Sequence, residues 1–380
     1  MDFQYTSEQE MTRKMVREFT EKAIIPKAQE IDEKDEFPFD IYRAMADLNL
    51  FDLEVSQELG GPGMDSICGV ISIEELARGS VAVANMCSSA RQHLFILEKF
   101  GSPEQQKALM PRIARGELIG SFALTEPDAG SDASRVQTKA VPDGDSYVIN
   151  GSKMFITMAP VADFCIVIAV TDREKATKGM SAILVDLKQP GVTVGKPERK
   201  LGHHGQPTAE IHFDDVRVPR SNLIGREGEG YKIALSSLDG ARLCAGAIAT
   251  GAMVAAYEAS VRYAKQRVQF GKPIAEFQAI QWMLVDMAVD IEVSRLLLYR
   301  AAAIKDTGAR YTREAAMAKL YATDAAMKNT TNAIQIHGGY GYMKDYPVER
   351  YFRDVKLTQI YDGTNEIQRL VISRYVLADN

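Results

Sequence analysis

The pattern of apolar and polar positions changes twice along the chain. Over the first third, apolar residues recur at helical spacing after a predicted capping pair, Ser7 and Glu10. A later segment, Ser102-Pro103, is typical of a helix start because proline is tolerated at the first helical position, and Gly116 is predicted to end that helix. The first third is therefore predicted to be helical.

Between about residues 121 and 230 the apolar runs become short and rich in β-branched residues. Turn-forming clusters separate the runs Tyr147–Asn150, Phe164–Val170, Ala182–Val185 and Ile211–Phe213. Because no helical segments of 10–15 residues alternate with these runs, we expect a β-domain rather than a parallel sheet of βαβ units.

From about residue 231 the helical period returns over long segments. The predicted helices are Tyr231–Arg267, Ile274–Thr307, Arg313–His337 and a last one from about Thr364. Short connections between long helices favour an antiparallel four-helix bundle. The fold class is thus α+β, with an N-terminal helical domain over 1–120, a central β-domain over 121–230 and a C-terminal four-helix bundle over 231–380.

Composition excludes several kinds of partner. The 380 residues carry 45 Lys and Arg against 51 Asp and Glu, a net charge of −6, so we expect no nucleic-acid binding. The four cysteines form no CxxC pair, and the pattern predicts neither disulfides nor a metal site. The acidic N-terminus is unlike a signal peptide, and the apolar runs are short. We expect a cytoplasmic protein without membrane insertion.

Five motifs occur in order along the chain: Phe122–Asp132, Asn150–Thr157, Arg267–Gly271, Gln335–Gly339 and Ile360–Gln368. Together they resemble the signatures of acyl-CoA dehydrogenases, over essentially the whole chain and in the right order. The resemblance implies that family's fold, FAD as cofactor and an acyl-CoA substrate. It also implies electron-transfer flavoprotein as the electron acceptor and a homotetramer built as a dimer of dimers.

The resemblance assigns FAD contacts to residues of all five motifs and to one glutamine that follows the third. Arg267 and Gln278 would contact the FAD of a neighbouring subunit, and a planar guanidinium suits the diphosphate. Taken alone, each motif is also compatible with an ordinary turn, strand or surface charge. The assigned residues are Phe122, Leu124, Thr125, Gly130, Ser131, Phe155, Ile156, Thr157, Arg267, Phe270, Gln278, Gln335, Ile336, Gly338, Gly339, Thr364, Asn365 and Glu366.

Contacts with the CoA ester are implied for Ser131, Asp239, Arg242 and Gly363. Some relatives carry their catalytic glutamate just before this arginine, but here that position is Ala241. The histidine pair at 203 and 204 resembles nothing catalytic and is interpreted as an exposed loop pair.

The reacting residue is expected at Asp362, where the family's common pattern Tyr-Glu-Gly-Thr is replaced by Tyr-Asp-Gly-Thr. Aspartate retains the carboxylate and the backbone N–H but loses one methylene, about 1.5 Å of reach. Three readings remain open. Asp362 is the base for a substrate whose Cα lies closer, or it is a residual group beside atypical chemistry, or the protein binds flavin and thioesters without dehydrogenating them.

The substrate is the least determined part of the sequence. Aspartate at the base position resembles enzymes that act on alicyclic thioesters such as cyclohexane-1-carboxyl-CoA. Arg91 lies on a helix that lines the acyl pocket in relatives and could bind a distal carboxylate, which favours a dicarboxylyl-CoA (glutaryl-CoA-like) substrate. Alternatively it pairs with an acidic neighbour or faces solvent. A nitroalkane-oxidase-like enzyme with an aspartate base is a further alternative.

Overall fold

The computed structural model describes residues 4–378, which fold in the order helices, sheet, helices. The first helix is capped by Thr6, which exchanges hydrogen bonds with Gln9, so the predicted capping pair was wrong by one residue. Ser102 and Gln105 form the second capping box, with Pro103 at the first helical position. The N-terminal helices are α1 (Ser7–Phe19), α2 (Ala28–Lys34), α3 (Phe39–Asp47), α4 (Ser66–Gly79), α5 (Val81–Phe100) and α6 (Pro103–Ala114).

One eight-stranded sheet follows these helices. Its strands are β1 (Gly120–Ala123), β2 (Lys139–Asp143), β3 (Ser146–Thr157), β4 (Phe164–Val170), β5 (Met180–Asp186), β6 (Val192–Val194), β7 (Thr208–Pro219) and β8 (Leu223–Ile224). They lie in the order β6-β7-β3-β2-β4-β5-β8, and β1 pairs in parallel with β4. Most neighbours are antiparallel, as a β-domain without βαβ units requires.

The C-terminal part contains one helix more than the four predicted. It comprises α7 (Gly230–Gln266), a short hairpin of β9 (Val268–Gln269) and β10 (Lys272–Pro273), α8 (Gln278–Asp306), α9 (Thr312–His337), α10 (Val348–Thr358) and α11 (Asn365–Ala378). Helix α10 was missed because its 11 residues carry many charges, and only a narrow face, including Tyr351 and Val355, is buried. The four long helices match the prediction, and α10 leads directly into the loop that carries Asp362.

Helix α7 is the centre of the helical packing and touches α4, α5, α8 and α9. A Cβ atom at Gly251 would lie 2.1 Å from the carbonyl oxygen of Glu74 on α4, so glycine is required for the two backbones to approach this closely. Within residues 4–378, α7 is also the one helix long and apolar enough to cross a bilayer, but 78% of its most apolar window is buried inside the protein. Its apolar character therefore reflects core packing.

Candidate active site

The loop between α10 and α11 holds Asp362 in a left-handed backbone conformation. The φ angle is 55° at Asp362 and 86° at Gly363. Aspartate enters this region more readily than most residues, and glycine does so at no steric cost. The side-chain amide of Gln368 on α11 donates to the carbonyl oxygens of Gly363 (2.7 Å) and Asp362 (3.2 Å). The turn is therefore fixed through its backbone, and the Asp362 side chain takes no part in holding it.

The Asp362 carboxylate is half-buried and free of hydrogen bonds from the protein. Among residues 4–378, no donor lies within bonding distance of its oxygens, and its backbone N–H has no acceptor. Burial raises the pKa of Asp362 to about 6, and the positive charges of Lys319 and Arg242 limit that rise. A carboxylate in this state can accept a proton near neutral pH. The free N–H can donate to a carbonyl oxygen on which negative charge develops.

Arg242 and Asp239, both predicted to contact the CoA ester, are brought together on α7. The Arg242 guanidinium donates from Nη1 to Asp239 Oδ1 at 2.7 Å, and Thr312 donates to Asp239 Oδ2 at 2.6 Å. The Nε atom of Arg242 is buried and has no hydrogen-bond partner within the described residues. The pair lies in the interior of α7.

A cavity of about 570 Å³ opens beside this pair and extends between α4, α5 and α7. Its walls include the apolar side chains of Phe95 and Leu243, the sulfur of Cys244, and Ala241. Since Ala241 lines the cavity, the position that carries a glutamate in some relatives offers no second carboxylate here. The cavity is large enough for a compact acyl group.

Arg91 also lines this cavity, but its guanidinium is engaged by the protein. It is buried and donates to the carbonyl oxygens of Leu50 (2.8 Å) and Gly69 (2.9 Å) and to the hydroxyl of Ser72 (2.8 Å). Glu54 lies 3.9 Å away and is itself paired with Lys305. Of the two alternatives left open, the structure therefore shows pairing with an acidic neighbour at the wall of the cavity, and Arg91 does not face solvent.

The β-domain residues assigned to FAD lie on strands that are tied together. The pairing of β3 with β7 shifts register between Lys153 and Ile156, which places Phe155 at a φ of 57° with 61% of the residue exposed. Such a bulge re-aims a side chain. Ile156 is buried beneath it, and Thr157 is half-buried. The N–H of Met154 donates to the carbonyl oxygen of Thr125 at 2.9 Å, which links β3 to the turn after β1.

That turn presents small and backbone groups beside the exposed phenylalanine. Phe122, Leu124 and Thr125 are half-buried, while Gly130 and Ser131 are exposed. The structure thus links the two segments that carry the eight β-domain residues predicted to contact FAD, and an aromatic face and turn N–H groups are suited to a flavin ring.

A buried ion pair anchors this surface and was not predicted. Lys153 is completely buried, and its ammonium donates to Glu126 Oε1 (2.8 Å) and to the carbonyl oxygens of Leu124 (3.1 Å) and Ile168 (2.7 Å). Glu126 in turn accepts from the backbone N–H of Thr138 at 2.9 Å. Burial lowers the pKa of Lys153 to about 8, and Glu126 opposes that change. The sequence signal was a lysine at an inward position of β3.

Four of the other residues predicted to contact FAD line one cavity beside α7 and α9. A second cavity, of about 500 Å³, is lined by Arg267, Ile336, Gly338 and Gly339, among others. The Arg267 guanidinium lies 5.6 Å from the centre of the Tyr340 ring. No residue between 122 and 157 lines this cavity, so a single chain does not bring the two sets together in one described cavity.

Three further predicted FAD contacts, Phe270, Gln278 and Gln335, are exposed near this cavity. Phe270 is 94% exposed at the tip of the β9–β10 hairpin, with a φ of 51°. Within the described residues its ring meets Phe277 edge-on, with 6.0 Å between ring centres, and this contact leaves most of the side chain uncovered. This is the exposure expected of residues that reach the FAD of a neighbouring subunit.

Of the three assigned residues on α11 and just before it, Asn365 differs from the expectation. Thr364 is half-buried and Glu366 exposed, but Asn365 is buried, and its amide contacts Lys319 (3.0 Å), Thr323 and Asp324. A contact between Asn365 and FAD would have to use its backbone. Lys319 itself was not assigned a role, although a lysine on the otherwise apolar face of α9 was a signal.

The histidine pair is not exposed, so that interpretation was wrong. His203 is 1% exposed, and its backbone N–H donates to Asp354 Oδ1 at 2.7 Å. Its ring lies edge-on to Tyr361, with 6.2 Å between ring centres. His204 is half-buried against the Asp32 carbonyl oxygen at 2.8 Å. The pair therefore packs the β-domain against α2, α10 and the residue preceding Asp362.

The arrangement fits FAD on structural grounds. The chain offers an exposed aromatic face with a glycine-containing turn for a ring system, and a cavity with a guanidinium for a diphosphate. At Gly338 and Gly339 a Cβ would meet no atom within 4 Å, so the backbone there is open to a ligand. When bound, FAD supplies the acceptor for a hydrogen that leaves with its electron pair.

Comparison with known proteins agrees with this geometry. Models of the N-terminal, middle and C-terminal domains of acyl-CoA dehydrogenases match residues 6–117, 121–216 and 228–377. An acyl-CoA dehydrogenase of Bacillus subtilis is 47% identical over 376 residues, which cover 98% of both chains. Butyryl-CoA dehydrogenase from Megasphaera elsdenii has a TM-score of 0.97 and 41% identity, covering 99% of this chain and 100% of that one.

A second similar structure comes from work on the electron transferring flavoprotein of Acidaminococcus fermentans and flavin-based electron bifurcation. It has a TM-score of 0.97 and 43% identity, and covers 99% of this chain and 100% of that one. Acyl-CoA dehydrogenases are oxidoreductases that act on CH–CH bonds of acyl-CoA thioesters, structural neighbours include an FAD complex, and FAD is the cofactor of this chain as well. With all three domains matched in order, the chain belongs to the acyl-CoA dehydrogenase family.

Proposed function

We propose that Asp362 is the base of this acyl-CoA dehydrogenase and that the preferred substrate is an alicyclic or α-branched thioester such as cyclohexane-1-carboxyl-CoA. The observation that carries the proposal is the state of this carboxylate. It is short, it is free of hydrogen bonds from residues 4–378, and it lies where burial raises its pKa to about 6. It is therefore available to take a proton at neutral pH.

In the proposed reaction the Asp362 carboxylate removes the α-proton of the thioester. The backbone N–H of Asp362, which has no acceptor in the described part of the chain, donates to the thioester carbonyl oxygen as negative charge develops on it. Asp239, which lines the cavity of about 570 Å³, and Arg242, which is hydrogen-bonded to it, orient the CoA ester together with Ser131 and the backbone of Gly363. The β-hydrogen leaves with its electron pair on the opposite side of the substrate.

The substrate preference follows from the length of the base. A ring places two carbon substituents on Cα, so the remaining α-hydrogen is tertiary and the ring needs volume beside the base. Aspartate withdraws by about 1.5 Å relative to glutamate and leaves that volume free. Because proton transfer tolerates little misplacement, a shorter base favours a substrate that brings its α-hydrogen closer.

The dicarboxylyl-CoA alternative depends on Arg91, and the groups around Arg91 give this alternative little support. A distal carboxylate would have to replace or share the three protein acceptors of the guanidinium, and Glu54 already supplies negative charge at 3.9 Å. A bound carboxylate would also lie beside that glutamate, and like charges at short range disfavour each other. We therefore keep the glutaryl ester as the competing substrate in the test.

The electron acceptor is proposed to be electron-transfer flavoprotein, and the alternative is oxygen, as in nitroalkane-oxidase-like relatives. A protein that hands electrons to another flavoprotein should react slowly with oxygen after reduction. Rapid peroxide formation from the reduced enzyme would favour the oxidase. Stopped-flow mixing of the substrate-reduced enzyme with aerated buffer, compared with mixing against electron-transfer flavoprotein, separates the two.

We further propose a homotetramer, a dimer of dimers, in the cytoplasm. A stripe of apolar side chains on α8 supports assembly: Trp282, Val285, Val289 and Leu296 lie on one face and are each more than half exposed. The split between the two sets of FAD residues requires at least a second subunit if Arg267 and Gln278 serve a neighbouring site. Sedimentation equilibrium should give four chains of 42.0 kDa, and a monomer would contradict the proposal.

The test of substrate is anaerobic bleaching of the bound flavin by a panel of thioesters. We expect cyclohexane-1-carboxyl-CoA to reduce the flavin faster than butyryl-CoA or glutaryl-CoA. A faster reaction with glutaryl-CoA, together with a selectively raised KM for that ester in Arg91→Ala, would establish the dicarboxylyl alternative. A clear preference for butyryl-CoA would mean that the aspartate is a tolerated substitution without bearing on the substrate.

The matched variant for this test is Asp362→Glu. It restores the longer base without changing charge, so reach is the property that changes. We expect Asp362→Glu to gain rate on butyryl-CoA and to lose rate on the ring ester. A variant that loses rate equally on both esters would show that chain length of the base does not determine preference.

A further inference from the structure

Lys319, in the middle of α9, is a buried cation to which the reaction above gives no part. It is 0% exposed, and its ammonium donates to the carbonyl oxygen of Gly363 at 2.8 Å and to Asn365 Oδ1 at 3.0 Å. Both acceptors belong to the segment that directly follows Asp362. Lys319 therefore contacts the loop between α10 and α11 that carries Asp362, which is called the base loop below.

The charge of Lys319 is not neutralised by an ion pair. Within residues 4–378, no carboxylate lies within 4 Å of its ammonium, and both of its acceptors are neutral. Burial lowers the pKa of Lys319 to about 8, while Asp362 is the main group that favours its charged form. Arg242 on α7 acts against the charged form, and Asp324 and Glu366 act weakly for it. The positive charge of Lys319 therefore interacts mainly with the Asp362 carboxylate.

The backbone of the base loop needs such support. Two successive residues, Asp362 and Gly363, have left-handed backbone conformations. The carbonyl oxygen of Gly363 accepts hydrogen bonds from both the Lys319 ammonium and the side-chain amide of Gln368. A hydrogen bond from a charged donor is stronger than one from a neutral amide. Removal of Lys319 would leave the Gly363 carbonyl with only the weaker partner.

We propose that Lys319 is the positioning residue of the base: its ammonium fixes the turn that aims Asp362, and its positive charge favours the ionised carboxylate. The proposal rests on the proposed role of Asp362 and deepens it. Besides Lys319, the charged and titratable groups facing Asp362 are Arg242 and the neighbouring Tyr361 hydroxyl. Arg242 contributes a second positive charge, so Lys319 is expected to account for part of the effect and not all of it.

The test is the pH dependence of flavin reduction in Lys319→Met, a variant of similar length without charge. The holoenzyme is mixed anaerobically with whichever thioester of the panel reduces the wild-type flavin, between pH 5 and 9. In a plot of the flavin-reduction rate against pH, the rising limb is the range in which the rate increases with pH. Loss of an opposite charge should move this limb to higher pH by about one unit, and FAD content should stay unchanged. A limb at the wild-type position would overturn the proposal, because a purely structural lysine would change only the plateau.

The matched control is Lys328→Met, which removes a positive charge from the exposed side of the same helix, where Lys328 pairs with Asp290 at 3.2 Å. Its limb is expected to coincide with that of the wild type. If Lys319→Met does not fold, Lys319→Gln replaces it, since this change removes the charge and keeps an N–H donor on the side chain. The limb should again move to higher pH, and a limb that stays in place would equally overturn the proposal.

Failure of this inference is distinguishable from failure of the proposed function. If Asp362→Asn retains wild-type flavin reduction, Asp362 is not the base and the function itself is wrong. If Asp362→Asn is inactive while the limb in Lys319→Met does not move, only the role of Lys319 is wrong.

Discussion

Two buried lysines, one under each half of the site, serve their surroundings differently. Lys153 lies in the β-domain against Glu126 at 2.8 Å, and two backbone carbonyls complete its hydrogen bonds. Lys319 lies in the C-terminal bundle against two neutral acceptors. Burial lowers the pKa of each to about 8. The two lysines thus have similar burial and a similar pKa, but Lys153 has a carboxylate as a direct partner, whereas the direct partners of Lys319 are neutral.

The difference shows where a buried charge has an effect. An ion pair as close as that of Lys153 and Glu126 cancels most of its own field, so it fixes a surface without acting on a neighbour. A cation whose acceptors are neutral keeps its field, and Asp362 is the main group that favours the charged form of Lys319. We interpret the first lysine as scaffold for the flavin face and the second as part of the chemistry of the base.

The largest effect that separates the two lysines is expected in stability. Lys153→Met leaves Glu126 buried without its cation, and breaking a buried pair in this way costs about 3–5 kcal/mol of the free energy of unfolding. Lys319→Met leaves two neutral acceptors without their donor and no carboxylate in a direct ion pair, and it should cost less. Urea unfolding of both variants checks the order. The double variant Lys153→Met with Glu126→Gln should recover part of the loss, and equal losses for the two lysines would contradict the comparison.

The pH dependence of the wild-type enzyme gives an effect of intermediate size. The base must be ionised to accept a proton, and the pKa of Asp362 is about 6, so activity is present above this pH and lost below it. The second-order rate of flavin reduction should fall about tenfold per pH unit below the limb. Rapid mixing at subsaturating thioester measures this rate. A rate that is constant from pH 5 to 8 would contradict an Asp362 base in this environment.

The smallest effect is expected from Thr323→Val, which leaves the Lys319 ammonium and both of its acceptors in place. The Thr323 hydroxyl accepts from the Asn365 amide at 2.9 Å and donates to the backbone carbonyl oxygen of Lys319 at 2.8 Å, and loss of a hydrogen bond costs about 1 kcal/mol of stability. Because the charge of Lys319 remains, the rising limb of the pH profile should stay in place. Thermal unfolding and the same kinetic titration measure both quantities. A displaced limb in this variant would show that loop position, and not charge, determines the ionisation of Asp362.

Much of the fold could be predicted from the sequence because period and turn chemistry are local. The long helices and the short β-rich runs each carry their own pattern, and the two β-domain motifs predicted to contact FAD are linked in the structure by a backbone hydrogen bond between Met154 and Thr125. Helix α10 was missed because its charged face outweighs its narrow buried one. His203 was misjudged because its burial comes from α10 and Tyr361, which are more than 140 residues away along the chain.

The site was less predictable for the same reason. The base position followed from the motif, but the groups that set its ionisation, Lys319 and Arg242, come from two other helices. Arg91 was recognised as unusual, yet its engagement with Leu50, Gly69 and Ser72 depends on how α4 and α5 pack. Contacts of this kind are tertiary, and no local pattern encodes them.

The most direct measurement of the central claim is flavin reduction by Asp362→Asn under anaerobic conditions. Asparagine keeps the shape of the side chain and the backbone N–H but cannot accept a proton. We predict that the rate of bleaching falls by at least about 10²–10⁴ while binding of the thioester is largely retained. Bleaching at the wild-type rate in this variant would contradict the assignment of Asp362 as the base.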